Sequence, residues 1–319
     1  MTEDLENGCV DRAQGCLLGQ LAGDALGGQV EFQWSEQIWE KYPDGVRELA
    51  DGGTWDTIAG QPTDDSEMAL ILARTIVEYG TYDANAARNA YLYWIDSGPF
   101  DCGGTISAAL SGRPNPDSQA NGAMMRASPL GIFGAGHDLS IVADWAGHDA
   151  ALTHPNIICV QANSLYATAI AFAIRTGVTP DAVYRGVLSR AMDMKVEPGL
   201  MAAIVDAAES PPVEYVHKQG WILIAFQNAL WQLLHAATLE EAVVNTVMRG
   251  GDTDTNAAIC GSLLGAVYGR GAIPGQWVKS LLGCRPANGD PRVRHPRPEC
   301  FWPVDALELA EQLLKRRRH

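Results

Sequence analysis

Two stretches of this 319-residue chain carry small residues at every fourth position: Gly15, Gly19, Gly23 and Gly27 in one, Ala257, Gly261, Gly265 and Gly269 in the other. At about 3.6 residues per helical turn, such a spacing lines them up along one face, so each stretch, if helical, has a side without side-chain bulk. Glycine inside a helix is unfavourable by about 0.5–1 kcal/mol relative to alanine. A chain that accepts this repeatedly needs close backbone approach, and the two bare faces are expected to pack tightly at the centre of the fold. The same spacing drives helix pairing in membranes, but Asp24 inside the first stripe and the amphipathic flanks oppose that use here.

The rest of the chain repeats a helical period. Apolar residues recur with it over 11–27, 65–80, 83–97, 102–111, 139–152, 156–176, 180–194, 199–209, 220–236, 239–249, 254–268 and 304–318, and no alternating β-branched runs joined by hairpin turns interrupt them. An all-α domain follows. Turn-rich stretches cover 43–63, 112–121 and 284–303, none of them a long linker, so residues 1–319 are expected to form a single domain. Its motif core is 11–283, and the proline-rich segment and last helix, 284–319, are strapped back onto it. The Lys315-Arg316-Arg317-Arg318 run is expected to be a solvated helix end that complements the helix dipole.

A formal net charge of -15 opposes a nucleic-acid surface, which needs a basic path along the phosphates. An anionic substrate would need local positive potential from metal ions or helix N-termini. Seven scattered cysteines, none in C-x-x-C spacing, suggest neither a disulfide framework nor a zinc site and fit a reducing cytoplasm. The acidic N-terminus does not read as a secretory signal, and no apolar run reads as long enough to span a membrane.

Chemistry-bearing residues gather at two predicted helix starts. In QPTDDSEMALILARTIV, Thr63, Asp64 and Asp65 precede an apolar helix. Capping explains one acid there, because Asp64 and Glu67 have capping-box spacing. A second adjacent carboxylate is repelled by the first unless a cation offsets it. The segment RGGDTDTNAAICGSLLGAVYG repeats the design with Asp252, Asp254, Thr255 and Asn256 after a Gly-Gly turn. A calcium loop is excluded, since Ala257 replaces the required glycine and Leu263 the closing glutamate. What remains is a set of hard oxygen donors suited to Mg²⁺ or Mn²⁺. A third element, GDALGGQVEF, holds Asp24, for which a structural bond to a loop amide or helix terminus suffices. It also holds Glu31, whose apolar neighbours make it a candidate for a raised pKa and acid–base work.

GDALG-x-x-VEF, Thr-Asp-Asp-Ser, NGAMMR, the Thr-His pair and GGDTDT occur in one order over residues 15–269, and in this the chain resembles the ADP-ribosylglycohydrolases. The resemblance implies an all-α fold with a central dimetal cleft, two divalent cations (Mg²⁺ or Mn²⁺), and hydrolysis of the bond between ADP-ribose and a protein arginine. It also implies a mono-ADP-ribosylated protein as the partner and ADP-ribose as the product; a monomer is the expected state. By position, Thr63, Asp64, Asp65, Asp252, Asp254 and Thr255 would be the metal ligands. Glu31 would bind or activate a metal-associated water, and Asp64 is a catalytic candidate as well as a metal ligand. Asp101, in PFDCGGTI, would meet the guanidinium or assist catalysis, unless it only caps the helix beginning near Cys102. Gly103, Gly104, Asn121, Gly122 and Met125 would form the wall for diphosphate and ribose. His154 is either a packed core histidine or a ligand contact, and Trp221 either an adenine-stacking ring or core. Many relatives have asparagine at Gly104, and some a second histidine at Asn156. Serine-linked ADP-ribose, a small ADP-ribosyl or guanidine compound, and non-catalytic ADP-ribose binding therefore stand as alternatives. The role would be regulatory or one of immunity against an ADP-ribosylating toxin.

Overall fold

The computed structural model describes residues 3–315. In chain order the helices are α1 (Glu3–Gly27), α2 (Ser35–Lys41), α3 (Asp64–Tyr79), α4 (Ala84–Asp96), α5 (Gly104–Leu110), α6 (Ser128–Gly134), α7 (Leu139–Ala151) and α8 (Ile157–Thr176), followed by α9 (Pro180–Met194), α10 (Pro198–Asp206), α11 (Ile222–His235), α12 (Leu239–Val247), α13 (Thr253–Tyr268), α14 (Gly275–Gly283) and α15 (Ala306–Leu314). Among the described residues β-pairing is confined to isolated bridges, so the all-α expectation holds.

The two small-residue stripes face each other. A Cβ placed on Gly15, Gly19, Gly23 or Gly27 of α1 would run into the backbone of Gly265 and Gly269, Gly261, Ala257 or Asp254, respectively. The order is antiparallel, so the C-terminal end of α1 lies against the first turn of α13. Around this pair, α8, α11 and α12 pack on α13, while α6, α14 and α15 pack on α1. The buried core runs through all of them, from Leu17 and Leu21 of α1 through Ile170 of α8 and Phe226 of α11 to Leu263 of α13.

Three helices went unforeseen, each for a physical reason. In α6 every residue of SPLGIFG is buried, which erases the polar-apolar period that marks a surface helix. In α2 only Ile38 is buried, too little to make a pattern. The short α14 turns just Trp277 and Leu281 inward, one turn apart. The membrane-span reading also needs correction: α8 is 20 residues long with a mean hydropathy of 1.7 in its most apolar window, which meets the length and composition of a span. That window is 72% buried inside the protein, as a central core helix requires.

The C-terminal segment returns to the core through a charge. Arg297 is 6% exposed, and its guanidinium donates to both Glu67 oxygens (2.7 and 2.8 Å) and to Ser97 O and Oγ. Glu67 also accepts from Trp94 Nε1 at 2.9 Å, so the expected Asp64–Glu67 capping box is replaced by a buried ion pair that ties the strap to α3. Lys315 lies 3.9 Å from Glu311, and Arg316–Arg318 fall outside the described residues.

Two stability predictions follow from these contacts. Gly19→Ala and Gly261→Ala should each destabilise the protein by about 2 kcal/mol or more, since the obstacle is backbone that cannot rotate away. Gly283→Ala, which meets nothing within 4 Å, should be neutral in the same thermal or urea melt. Arg297→Met should remove about 3–5 kcal/mol by stranding the Glu67 charge, and Arg297→Met with Glu67→Leu should recover most of it.

Candidate active site

The end of α1 and the starts of α3 and α13 meet at one point. Asp24, fully buried near the end of α1, accepts Thr63 N at 3.2 Å, Ser66 N at 3.1 Å and Thr63 Oγ1 at 2.9 Å. These include the free amides of the first turn of α3, so Asp24 caps that helix from another element, the structural role expected of it. Thr253 Oγ1 donates to Gly27 O at 2.7 Å and fastens the start of α13 to the end of α1. Gly250 and Gly251 before it have φ of +77° and +75°, conformations that explain the Gly-Gly turn.

Carboxylates converge here in two groups that share a member. Oxygens of Asp24, Asp65 and Asp254 lie within 4.8 Å of one another, and so do oxygens of Glu31, Asp101 and Asp254. Thr63 Oγ1 is 2.9 Å from Asp24 and 3.0 Å from Asp65, yet a hydroxyl has only one proton to donate, so the second oxygen needs a proton or a cation. Asp65 Oδ1 is buried without a hydrogen-bond partner. Among the described residues none of these acids pairs with a Lys, Arg or His. Burial, then mutual repulsion, raises their pKa values: Glu31 to about 8 and Asp101 to about 8, with Asp65 and Asp254 also well above the usual carboxylate range. Asp64 rises to about 7 through burial against the opposing Gly103 hydrogen bond, and burial raises Asp24 to about 6 even though Ser66 and Thr63 donate to it and oppose the rise. Clustered hard oxygens, an orphaned buried carboxylate oxygen and no balancing side-chain cation are the donor chemistry a divalent ion requires.

The ADP-ribosylglycohydrolase family model matches residues 3–318. The chain belongs to the ADP-ribosylglycohydrolase family. It is 28% identical over 291 residues to the ADP-ribosylarginine hydrolase Tri1 of Pseudomonas putida, covering 85% of this chain and 74% of that one. It is 29% identical over 285 residues to the ADP-ribosyl-(dinitrogen reductase) glycohydrolase of Rhodospirillum rubrum, covering 85% and 90%. With the human ADP-ribosylhydrolase ARH3 it shares 22% over 328 residues, covering 86% and 90%. A solved ADP-ribosylglycohydrolase-related protein complex superposes with a TM-score of 0.79 at 27% identity, over 96% of this chain and 98% of that one. The protein is therefore an enzyme of a family of metal-dependent hydrolases.

For this ADP-ribosylglycohydrolase the expected site residues fall into distinct places. Asp65, Asp254, Glu31 and Asp101 are brought together, and Asp24 joins them although the sequence suggested only its structural bond. Asp64 and Asp252 each give one oxygen to a neighbour: Asp64 Oδ2 accepts Gly103 N at 3.1 Å, and Asp252 Oδ2 accepts Asn121 Nδ2 at 2.7 Å. Thr255 N donates to Asp254 Oδ1 at 2.9 Å. The helix expected to begin near Cys102 starts at Gly104 with Gly103 as its N-cap, so the capping alternative for Asp101 is not what the structure displays.

Along the proposed wall, Gly103 and Gly104 are exposed at the start of α5, and a Cβ on Gly104 would meet nothing within 4 Å. Met125 is buried in the core and its carbonyl accepts from Gln20 at 2.8 Å. His154 is fully buried beneath Gly122, with Nδ1 2.8 Å from Thr153 Oγ1 and Nε2 without a hydrogen-bond partner. Burial, helped by Arg126, lowers its pKa to about 3, so the imidazole is neutral. Trp221 is half-buried at the N-cap of α11, its indole donating to Gln119 Oε1 at 2.8 Å and one face covered by Lys218, 5.0 Å from the ring. Sequence reasoning missed Trp55, whose indole donates to Glu31 Oε2 at 2.6 Å; it lies in an irregular loop where no periodicity could single it out.

The raised carboxylates generate a pH prediction. Their folded-state values lie above the ordinary 3.8–4.5, so the native state holds more protons than the unfolded chain and stability falls as pH rises from about 4 through about 8. In chelator the melting temperature should therefore be higher at pH 6 than at pH 8. Mg²⁺ or Mn²⁺ should raise it more at pH 8, with proton release on binding measurable by calorimetry in buffers of different ionisation enthalpy. A metal-induced gain that is the same at both pH values would contradict this assignment of the site.

Proposed function

We propose that the protein hydrolyses the N-glycosidic bond between ADP-ribose and a protein arginine side chain, reversing mono-ADP-ribosylation. The observation that carries the reading is the convergence of Glu31 and Asp101 on Asp254 at a buried acid cluster without a cationic side chain, a surrounding suited to a guanidinium. The name of the Pseudomonas relative supports the same choice of bond, and that of the Rhodospirillum relative supports an ADP-ribosylated protein as the target. Scattered free thiols are in keeping with a cytoplasmic setting.

Asp24, Thr63, Asp64, Asp65, Asp252, Asp254 and Thr255 would hold two Mg²⁺ or Mn²⁺ ions. Bound there, the ions supply fixed positive charge to the vicinal hydroxyls of the distal ribose and make nearby water more acidic. The helix starts that carry these residues add the positive ends of two dipoles. Asp101 meets the guanidinium and orients it for departure. The C–N bond breaks with its electron pair on the guanidine nitrogen, and water adds to the anomeric carbon. Glu31 takes the proton from that water, and Asp101 gives one to the departing guanidine. A proton passed from Glu31 to Asp101 restores the starting state. Gly103, Gly104 and Gly122 leave a wall of low bulk for diphosphate and ribose, and Asn121 holds Asp252 in place beside it.

An ADP-ribosyl-arginine protein incubated with the enzyme should release ADP-ribose with Mg²⁺ or Mn²⁺ and none with EDTA. Asp254→Ala should fall to background while keeping its helical circular dichroism, and Glu31→Gln should lower kcat by about 10²–10⁴-fold. No chelator-sensitive release from arginine, with release from a serine-linked substrate, would overturn the choice of bond.

A further inference from the structure

Glu31 has no cationic partner, and the negative charges of Asp101 and Asp252 push against its carboxylate. It is restrained by a side-chain hydrogen bond with Asp254 and by the half-buried indole of Trp55, which donates to Oε2 at 2.6 Å. The loop bearing Trp55 is itself anchored to the same segment. Thr54 N donates to Gly28 O, Thr54 Oγ1 donates to Glu31 O at 3.0 Å, and Gly52 and Thr57 close the loop with paired backbone bonds. An indole can donate but not accept, so it fixes one carboxylate oxygen without competing for the protons that Glu31 handles.

The loop is held on its other side by the C-terminal strap. His295 Nε2 lies 2.8 Å from the Trp55 carbonyl, an acceptor, so that nitrogen carries the proton. The same imidazole stacks on Phe100, ring centroids 4.6 Å apart and planes at 28°, and Phe100 in turn tilts against Trp55 at 5.8 Å. Phe100 immediately precedes Asp101. One side chain of the strap therefore touches both the residue that holds Glu31 and the neighbour of Asp101. Its own position is set by Gln61 Nε2, which donates to His295 O at 2.7 Å, and two residues on by the buried Arg297–Glu67 pair in the first turn of α3.

We propose that Trp55 and His295 are positioning residues for the hydrolysis: Trp55 orients the Glu31 carboxylate, and His295 ties the Trp55 loop to the Phe100–Asp101 segment, so the C-terminal strap sets the separation of the two acids. This rests on the reading of Glu31 and Asp101 as the proton-transferring pair. Misplacing a reacting group by about 1 Å can lower a rate by about 10²-fold without changing how tightly substrate binds, which gives the proposal a kinetic signature.

Trp55→Phe keeps the ring against Phe100 and removes the donor. It should lower kcat on ADP-ribosyl-arginine by about 10–100-fold, with KM and Mn²⁺ affinity within about twofold of wild type, and Trp55→His, which restores an N–H, should recover part of the loss. His295→Phe keeps the stack but cannot donate to the Trp55 carbonyl. It should lower kcat by about tenfold, whereas His295→Gln, which keeps a donor, should stay within about threefold. A drop in melting temperature with unchanged kcat in Trp55→Phe would reduce both residues to packing and overturn the proposal. A readout that needs no hydrolysis is the Trp55 indole ¹⁵N–¹H resonance, assigned by its loss in Trp55→Phe. It should move in Glu31→Gln and in His295→Phe. If wild-type enzyme fails to release ADP-ribose from arginine, the functional reading fails, while this resonance still decides the positioning: movement in both variants sustains it, and no movement in Glu31→Gln overturns it.

Discussion

The backbone contact between α1 and α13 is the constraint from which the site follows. Each of Gly15, Gly19, Gly23 and Gly27 abuts main chain of the opposing helix, leaving no room for even a methyl group. Because the helices run antiparallel, this contact delivers the C-terminal end of α1, with Asp24 and then Glu31, to the N-terminal turn of α13, with Asp252 and Asp254. A looser packing with side chains between the helices would separate these carboxylates by several ångströms, beyond the 4.8 Å over which Asp24, Asp65 and Asp254 now lie together. The sacrifice in helix propensity at the glycines is thus what permits the close convergence of acids.

That convergence is electrostatically unfavourable by itself, and several devices offset it. The first turns of α3 and α13 present the positive ends of their dipoles to the acids. Asp24 satisfies free amides of α3, and Gly103 N and Asn121 occupy one oxygen each of Asp64 and Asp252. What these leave unsatisfied, notably Asp65 Oδ1, is open to a proton or a cation. Phe32, next to Glu31, is itself held at φ +65°, a conformation uncommon for a side chain of that size, by backbone bonds on both sides between the 32–33 segment and Gly251. The turn that aims Glu31 and the turn that precedes Asp252 are therefore braced by one another.

The outer parts of the chain matter by how they reach this centre. Glu67 sits two residues after Asp65, and its buried pairing with Arg297 joins the strap to the helix that carries the acids. The expectation of a strap folded back on the core was readable from prolines and mixed charge, but its most consequential contacts, Arg297 to Glu67 and His295 to Trp55, join residues more than two hundred positions apart. Nothing local in either segment signals its partner. The same limit accounts for α6, where complete burial removed the pattern that would have marked a helix.

By itself the sequence determined the helical class, because a 3.6-residue period shows wherever a helix has one wet face. It also pointed to close backbone approach along each striped helix, because glycine at every fourth position leaves a bare face, and to hard-oxygen chemistry, because adjacent acids at a helix start exceed what capping uses. The ordered motifs carried the family resemblance. Only the tertiary structure decided which acids meet: Asp24 came in beside Asp65 and Asp254, while Asp64 and Asp252 turned one oxygen each to Gly103 and Asn121. It also sent His154 beneath Gly122 instead of into the open, and placed Trp55 on Glu31. The physical reason is that side-chain direction at a helix end, and the partner of a loop residue, depend on what the rest of the chain packs against them.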